Sequence, residues 1–112
     1  PVQCQYFALE GLRDLSDVVR QVRQALNPNL EIGHYLLTMS ETAKKLSQEV
    51  ESELRGAFGD KVFKNVIPYN VKLAEAPSME MSVLKHASTS KGAKAYRAVA
   101  KELSNGRTPK AR

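Results

Sequence analysis

An apolar run, Val62–Ile67, stops at Pro68, and the short turn after it carries an asparagine, a lysine and a glutamate at Asn70, Lys72 and Glu75. Proline cannot donate to a sheet ladder, so Pro68 marks the end of a strand and the start of a loop. Loops at the carboxyl ends of strands are where open α/β sheets hold ligands. The other residues able to do chemistry form no recognisable set. A phosphate-gripping loop needs closely spaced glycines and an adjoining lysine. The glycines here, at 11, 33, 56, 59, 92 and 106, begin no such pattern. His34 and His86 stand far apart with no second histidine or cysteine at ligand spacing, which argues against a zinc site. His34, in an apolar stretch, reads as a hydrogen-bonded interior histidine. Glu49, Glu51 and Glu53 read as the solvated face of a helix. No catalytic residue and no metal ligand is assigned.

Charge supplies a second signal. From Lys85 onward there are eight basic residues against Glu102 alone, a net of +7, whereas residues 1–84 carry nine basic and eleven acidic groups, a net of −2. A basic end on a near-neutral body fits a polyanionic partner, DNA or acidic lipid, and equally fits a solvated helix face and tail. The single Cys4 cannot form an internal disulfide, which fits a reducing cytoplasm, and its apolar surroundings make it a small buried hydrophobe rather than a nucleophile. No run approaches the length of a membrane span. At 112 residues there is at most one domain with a modest core, and Pro1 in place of a methionine points to a piece of a longer chain.

The elements that must position these residues follow from periodicity. Val2–Cys4 is a short apolar strand. Leu9, Leu12, Leu15, Val18, Val19, Val22 and Leu26 are spaced for one buried helical stripe that ends at Asn27–Pro28. Leu30–Met39 reads as a strand buried on both faces. A second helix is expected over about Thr42–Phe58, with Leu46, Val50, Leu54 and Phe58 inward and Gly59 as a left-handed stop. After the Val62–Ile67 strand comes a loop of about twenty residues with at most one helical turn near Leu73–Ala76. A last helix, Ser90–Leu103, turns Ala93, Tyr96, Val99 and Leu103 inward. The fold class is therefore α/β, a partial parallel sheet flanked by helices. Residues 1–104 form the folded unit, and 105–112 a flexible basic tail.

In this order along the chain, four segments resemble the C-terminal half of the ParA/Soj chromosome- and plasmid-partitioning ATPases. PVQCQYFALEG at 1–11 resembles the strand-to-helix turn after the Walker B region. ALNPNLEI at 25–32, with LLTM at 36–39, resembles the next helix end and strand. FGDKVFKNVIPYNVKLAEAPS at 58–78 is the closest match, and SKGAKAYRAVAKEL at 90–103 resembles the terminal helix. The fold implied is the C-terminal half of a P-loop NTPase-like domain.

The resemblance implies that Pro68 and Asn70 lie on the adenine side of a bound nucleotide, where an amide that both donates and accepts suits a base edge. The same Asn70 could instead cap a short helix beginning at Val71. Lys72 stands where the family often has a DNA-contacting arginine, and Lys44 and Lys45 flank Ala43, where another such arginine is expected. Lysine neutralises phosphate as a point charge, without arginine's fork. The complete protein would use ATP and Mg²⁺, form an ATP-dependent homodimer, bind DNA without sequence preference and answer to a ParB-type centromere-binding partner. Its place would be cytoplasmic and nucleoid-associated, with no membrane partner. A MinD-like membrane role fits poorly, because small residues such as Ala93 and Ala100 suit packing on a sheet better than entry into lipid. Departures from the family pattern fall in loops: Gln5, Ala43, Tyr69, Met79–Ser82 and Ala87–Ser88. The alternative is an ATP-independent DNA-binding or interaction module, or a degenerate remnant of such a protein.

Overall fold

A computed structural model describes residues 1–5 and 7–105. Strand β1 (Val2–Gln3) leads into helix α1 (Ala8–Ala25), strand β2 (Leu37–Thr38) and helix α2 (Lys45–Phe58). The chain then forms four short helical segments, a 3₁₀ turn at Gly59–Lys61, α3 (Val71–Glu75), a second 3₁₀ turn at Ala76–Met79 and α4 (Val83–His86), before the last helix, α5 (Lys91–Asn105). The stretch expected as a long loop is thus largely helical. Its turns are too brief to show a helical period, and they are closed locally, by Asn70 at the start of α3 and by Glu80 at φ +54° after the second 3₁₀ turn. Among the described residues no helix is long and apolar enough to cross a membrane.

The sheet is parallel but smaller than the sequence pattern implied. Val2 pairs with Leu37 and Gln3 with Thr38. Outside that ladder, Tyr35 bridges Val62 and Ser40 bridges Pro68, both parallel. The segment 62–68 therefore runs along β2 as a third, interrupted neighbour, not as a continuous strand over Val62–Ile67. The interruption has a cause in the register. Between the two bridges, the 62–68 side has one residue more than the 35–40 side, which is the arithmetic of a bulge. At the bulge the backbone N–H groups of Lys64 and Asn65 turn away from β2 and donate to the Glu102 carboxylate at 2.8 and 3.0 Å. The Asn65 side-chain amide joins them at 2.8 Å, and the Lys64 carbonyl accepts from Arg55 at 3.2 Å.

Pro68 takes part in this pairing without a donor. In a parallel bridge the bonds come from the residues flanking the partner, and here Ser40 N–H donates to the Ile67 carbonyl at 3.0 Å and Tyr69 N–H to the Ser40 carbonyl at 2.9 Å. The missing N–H of proline is never required.

One core cluster joins Val2, Cys4, Tyr35 and Leu37 to Val50 and Leu54 of α2 and packs Leu9 and Leu12 of α1 against them. Tyr35 and Phe58 stack with ring centroids 4.3 Å apart. A second cluster, Phe63, Ile67 and Val99, takes in Leu36 and seats α5 on the opposite face of the strand. That strand is covered on both faces, as expected. Helix α2 turns Ser47 inward with Val50 and Leu54, whereas Leu46 is exposed. Along α5, Ala93 and Val99 are buried but Tyr96 and Leu103 are exposed. The stripe of α1 is not fully covered: no residue of the helix is buried, and Leu15, Val18 and Leu26 are exposed. Gly59 ends α2 with a positive φ of +53°, the freedom expected of glycine there, but its ψ of −120° is not that of the left-handed cap expected. Of the tail expected over 105–112, Asn105 is the last residue of α5, and the remainder lies outside the described residues.

Candidate functional site

Three segments end side by side at the carboxyl edge of the sheet, at Cys4, Ser40 and Pro68. Ser47 ties this edge to the start of α2: its hydroxyl donates to the Cys4 carbonyl at 3.4 Å and accepts from Glu41 N–H at 3.1 Å. Cys4 is buried, and desolvation, followed by the nearby Glu51 charge, pushes its thiol up, against a smaller opposing hydrogen bond from Ser40. A thiol held protonated packs and does not attack. Met39 turns the chain at this edge with φ +53°, a left-handed conformation rare for such a side chain, and its sulfur accepts from Gln5 at 3.8 Å. Metal-ligating side chains form no cluster among the described residues.

A cleft of about 340 Å³ opens at this edge between the loop after Pro68 and α5. Its walls include Thr38, Met39, Pro68, Asn70, Leu73 and Tyr96, so the structure brings both adenine-side candidates into one concave surface. A larger cleft, about 500 Å³, lies beneath α1 against the edge of β1 and holds none of the candidate residues. Asn70 sits in extended backbone, and its side-chain oxygen accepts from Lys72 N–H at 3.1 Å, capping α3. The capping role is therefore real. It occupies the acceptor only; the amide N–H₂ has no partner among the described residues and is left to donate.

The three candidate lysines all lie at the same edge, exposed, and each has an acidic neighbour. Lys44, the residue before α2, is 3.2 Å from Glu41; Lys45 is 3.9 Å from Glu49; Lys72 is 3.3 Å from Glu75. The bonds between Ser40 and Ile67–Tyr69 hold the loop leading to Lys44 beside the loop leading to Lys72. Exposed pairs of this kind are worth only about 0.2–1 kcal/mol, so a phosphate can displace them. By contrast Lys85, Lys91, Lys94 and Lys101 have no ion pair among the described residues. Lys94, Arg97 and Lys101 share the outward face of α5, opposite Ala93 and Val99. His34 is half-buried and stacks on Phe63 at 5.0 Å, with no hydrogen-bond partner among the described residues, so it is a packing residue and not the hydrogen-bonded one expected.

Two residues matter here that had no role assigned from the sequence, Glu102 and Glu75, although Glu75 was noted in the turn after Pro68. Glu102 braces the bulge that sets the path of the chain into Pro68; its only signal was being the lone acid in a basic third. Glu75 receives both Lys72 and His86, whose Nε2 is 3.1 Å from the same oxygen, Oε1, that Lys72 reaches. The His86 hydrogen bond first, then Lys72, hold the Glu75 carboxyl below the usual carboxylate range.

No protein-family model matches the chain. It is 50% identical over 103 residues to the chromosome-partitioning ATPase Soj of Thermus thermophilus, covering 92% of this chain and 41% of that protein. It is 46% identical to the sporulation initiation inhibitor protein Soj of Bacillus subtilis, again over 92% of this chain and 41% of the relative. The chromosome partitioning protein ParA of Caulobacter vibrioides is 45% identical over 92% of this chain and 39% of its own length. The chain thus spans about two fifths of the length of these curated relatives.

Proposed function

Starting from a chain homologous over nine-tenths of its length to the Soj/ParA chromosome-partitioning ATPases, we propose that it supplies the C-terminal, DNA-facing and adenine-side portion of a partition ATPase. The observation that supports this reading is the pairing of Ser40 with Pro68, which sets the Lys44 loop and the Lys72 loop next to each other at the carboxyl edge of a parallel sheet. In this reading Lys44, Lys45 and Lys72 neutralise phosphates of duplex DNA without reading its sequence, and chromosome or plasmid DNA is the cargo. Pro68 and the free Asn70 amide face the base of a nucleotide in the adjoining cleft, with the amide as donor to a ring nitrogen. The residues present fit the base end of ATP alone. Neither a glycine-rich phosphate loop nor a carboxylate cluster for Mg²⁺ occurs among the described residues, so no phosphate or metal chemistry is assigned to this chain. ATP-dependent dimerisation, a ParB-type activator and nucleoid association belong to the same reading of the longer protein.

Salt-dependent DNA binding tests the proposal. Each phosphate contact contributes a slope of about −0.9 in log K against log salt. Lys44→Ala with Lys72→Ala should flatten the slope by roughly 2 and weaken every duplex sequence alike. An unchanged slope would remove both lysines from the interface. The basic face of α5, whose Lys94 and Lys101 have no ion pair among the described residues, favours a second reading, DNA binding without ATP; removing Lys94 and Lys101 would then flatten the slope in place of the loop lysines.

A further inference from the structure

Glu75 Oε1 is shared. Lys72 Nζ approaches it at 3.3 Å from one turn earlier on α3, and His86 Nε2 reaches it at 3.1 Å from α4. The two partners differ in what they can do. The His86 side chain is only 18% exposed, whereas Lys72 is 48% exposed on a flexible stem. Lys72 can leave and His86 cannot follow. The carboxylate therefore stays where His86 holds it, within reach of the one candidate DNA-contacting lysine on α3.

We propose that Glu75 is a positioning residue for Lys72, a carboxylate anchored by His86 that holds the Lys72 ammonium back from a phosphodiester backbone and so sets how tightly this edge binds duplex DNA. The inference rests on the reading of Lys72 as a phosphate contact. Its physics is competition. A DNA phosphate must displace the carboxylate to gain the ammonium, so part of each contact is spent on breaking the existing pair. With the carboxylate neutralised, the ammonium is available without that exchange, and one more cation is released into the count of phosphates met. A role in folding alone predicts the reverse, since loosening α3 from α4 would disorder Lys72 and weaken binding.

The test is the affinity of the purified 112-residue chain for a fluorescent duplex DNA across a salt series, for wild type, Glu75→Gln, Lys72→Ala and the double variant. Glu75→Gln should bind about two- to fivefold more tightly near 0.1 M salt and steepen the slope by a fraction of one contact, up to about 0.9. The gain should vanish in the double variant, which should match Lys72→Ala. Glu75→Ala should act in the same direction and serves if the glutamine variant precipitates. Unchanged or weaker binding by Glu75→Gln, while wild type binds and Lys72→Ala weakens it, overturns the masking role and leaves the DNA reading intact. A gain that survives in the double variant also overturns it. Absence of any Lys72-dependent binding in wild type overturns both.

Discussion

Gly92 stands in the first turn of α5, where that helix meets α3, and replacing it with alanine tests whether this contact positions the Asn70–Lys72 loop. A Cβ at Gly92 would lie 2.6 Å from Leu73 Cγ, 2.9 Å from Cδ2 and 3.0 Å from Cδ1. Carbon atoms rest about 3.5–4.0 Å apart, so roughly 1 Å of separation must open. Cγ is the branch point of leucine and cannot swing clear like the end of a long chain. Leu73 also packs in two core clusters, beside Ile67 and Val99 and beside Ala76 and Ala93, so α3 itself has to move. Overpacking of this kind costs about 1–3 kcal/mol. Against it stands the gain of about 0.5–1 kcal/mol from alanine over glycine in a helix. The balance is a loss of about 0–2.5 kcal/mol, and at the middle of that range a fall in melting temperature on the order of 5 °C. Gly56→Ala is the matched control. It lies in α2 with nothing within 4 Å of the added methyl, and it should gain stability by about 0.5–1 kcal/mol. Thermal melts of the two variants should therefore shift in opposite directions. The clash is specific, so in a Leu73→Ala background Gly92→Ala should cost nothing. A Gly92→Ala protein more stable than wild type, or a loss that persists without the Leu73 side chain, would refute the reasoning.

Glu102→Ala should cost about 2 kcal/mol in urea titration, because charge-assisted bonds to Lys64, Asn65 and the Asn65 amide are lost together at the bulge. Asn70→Ala should lose about 1 kcal/mol of cap, whereas Asn70→Asp keeps the capping oxygen and should be close to wild type in stability. The aspartate lacks the amide donor, so under the proposed adenine-side role it should weaken adenine-nucleotide binding; nucleotide titration of the two variants separates that role from the cap. The Glu75 carboxyl is held low by His86 and Lys72, so its contribution is complete above the ordinary glutamate range near about 4.3 and is lost as pH falls through the lowered value. Melts across that acid range should lose less stability in Glu75→Gln than in wild type; an equal loss in both would contradict the pairing.

The sequence alone determined the long helices and the stops. Helical hydrogen bonds join residues four apart, so the apolar spacing of α1, α2 and α5 carries its own answer, and Gly59 and Pro68 act through their own backbone. The family resemblance was legible for the same reason, since its motifs are contiguous. What lay between residues remote in sequence was decided by tertiary structure. Whether Tyr35–Ser40 and Val62–Pro68 form one ladder or two bridges depends on a one-residue mismatch between segments, invisible in either segment read singly. The apolar stripe of α1 predicted a buried face, but burial needs a second surface, and Leu15, Val18 and Leu26 meet none among the described residues. The site divides the same way. Pro68, Asn70, Lys72 and Glu75 were found by type and order; the contacts that join Glu75 to His86 and Glu102 to the bulge were not. A charge in a sequence is free of address, and only the packing of α4 on α3 and α5 on the third segment gave these carboxylates their donors.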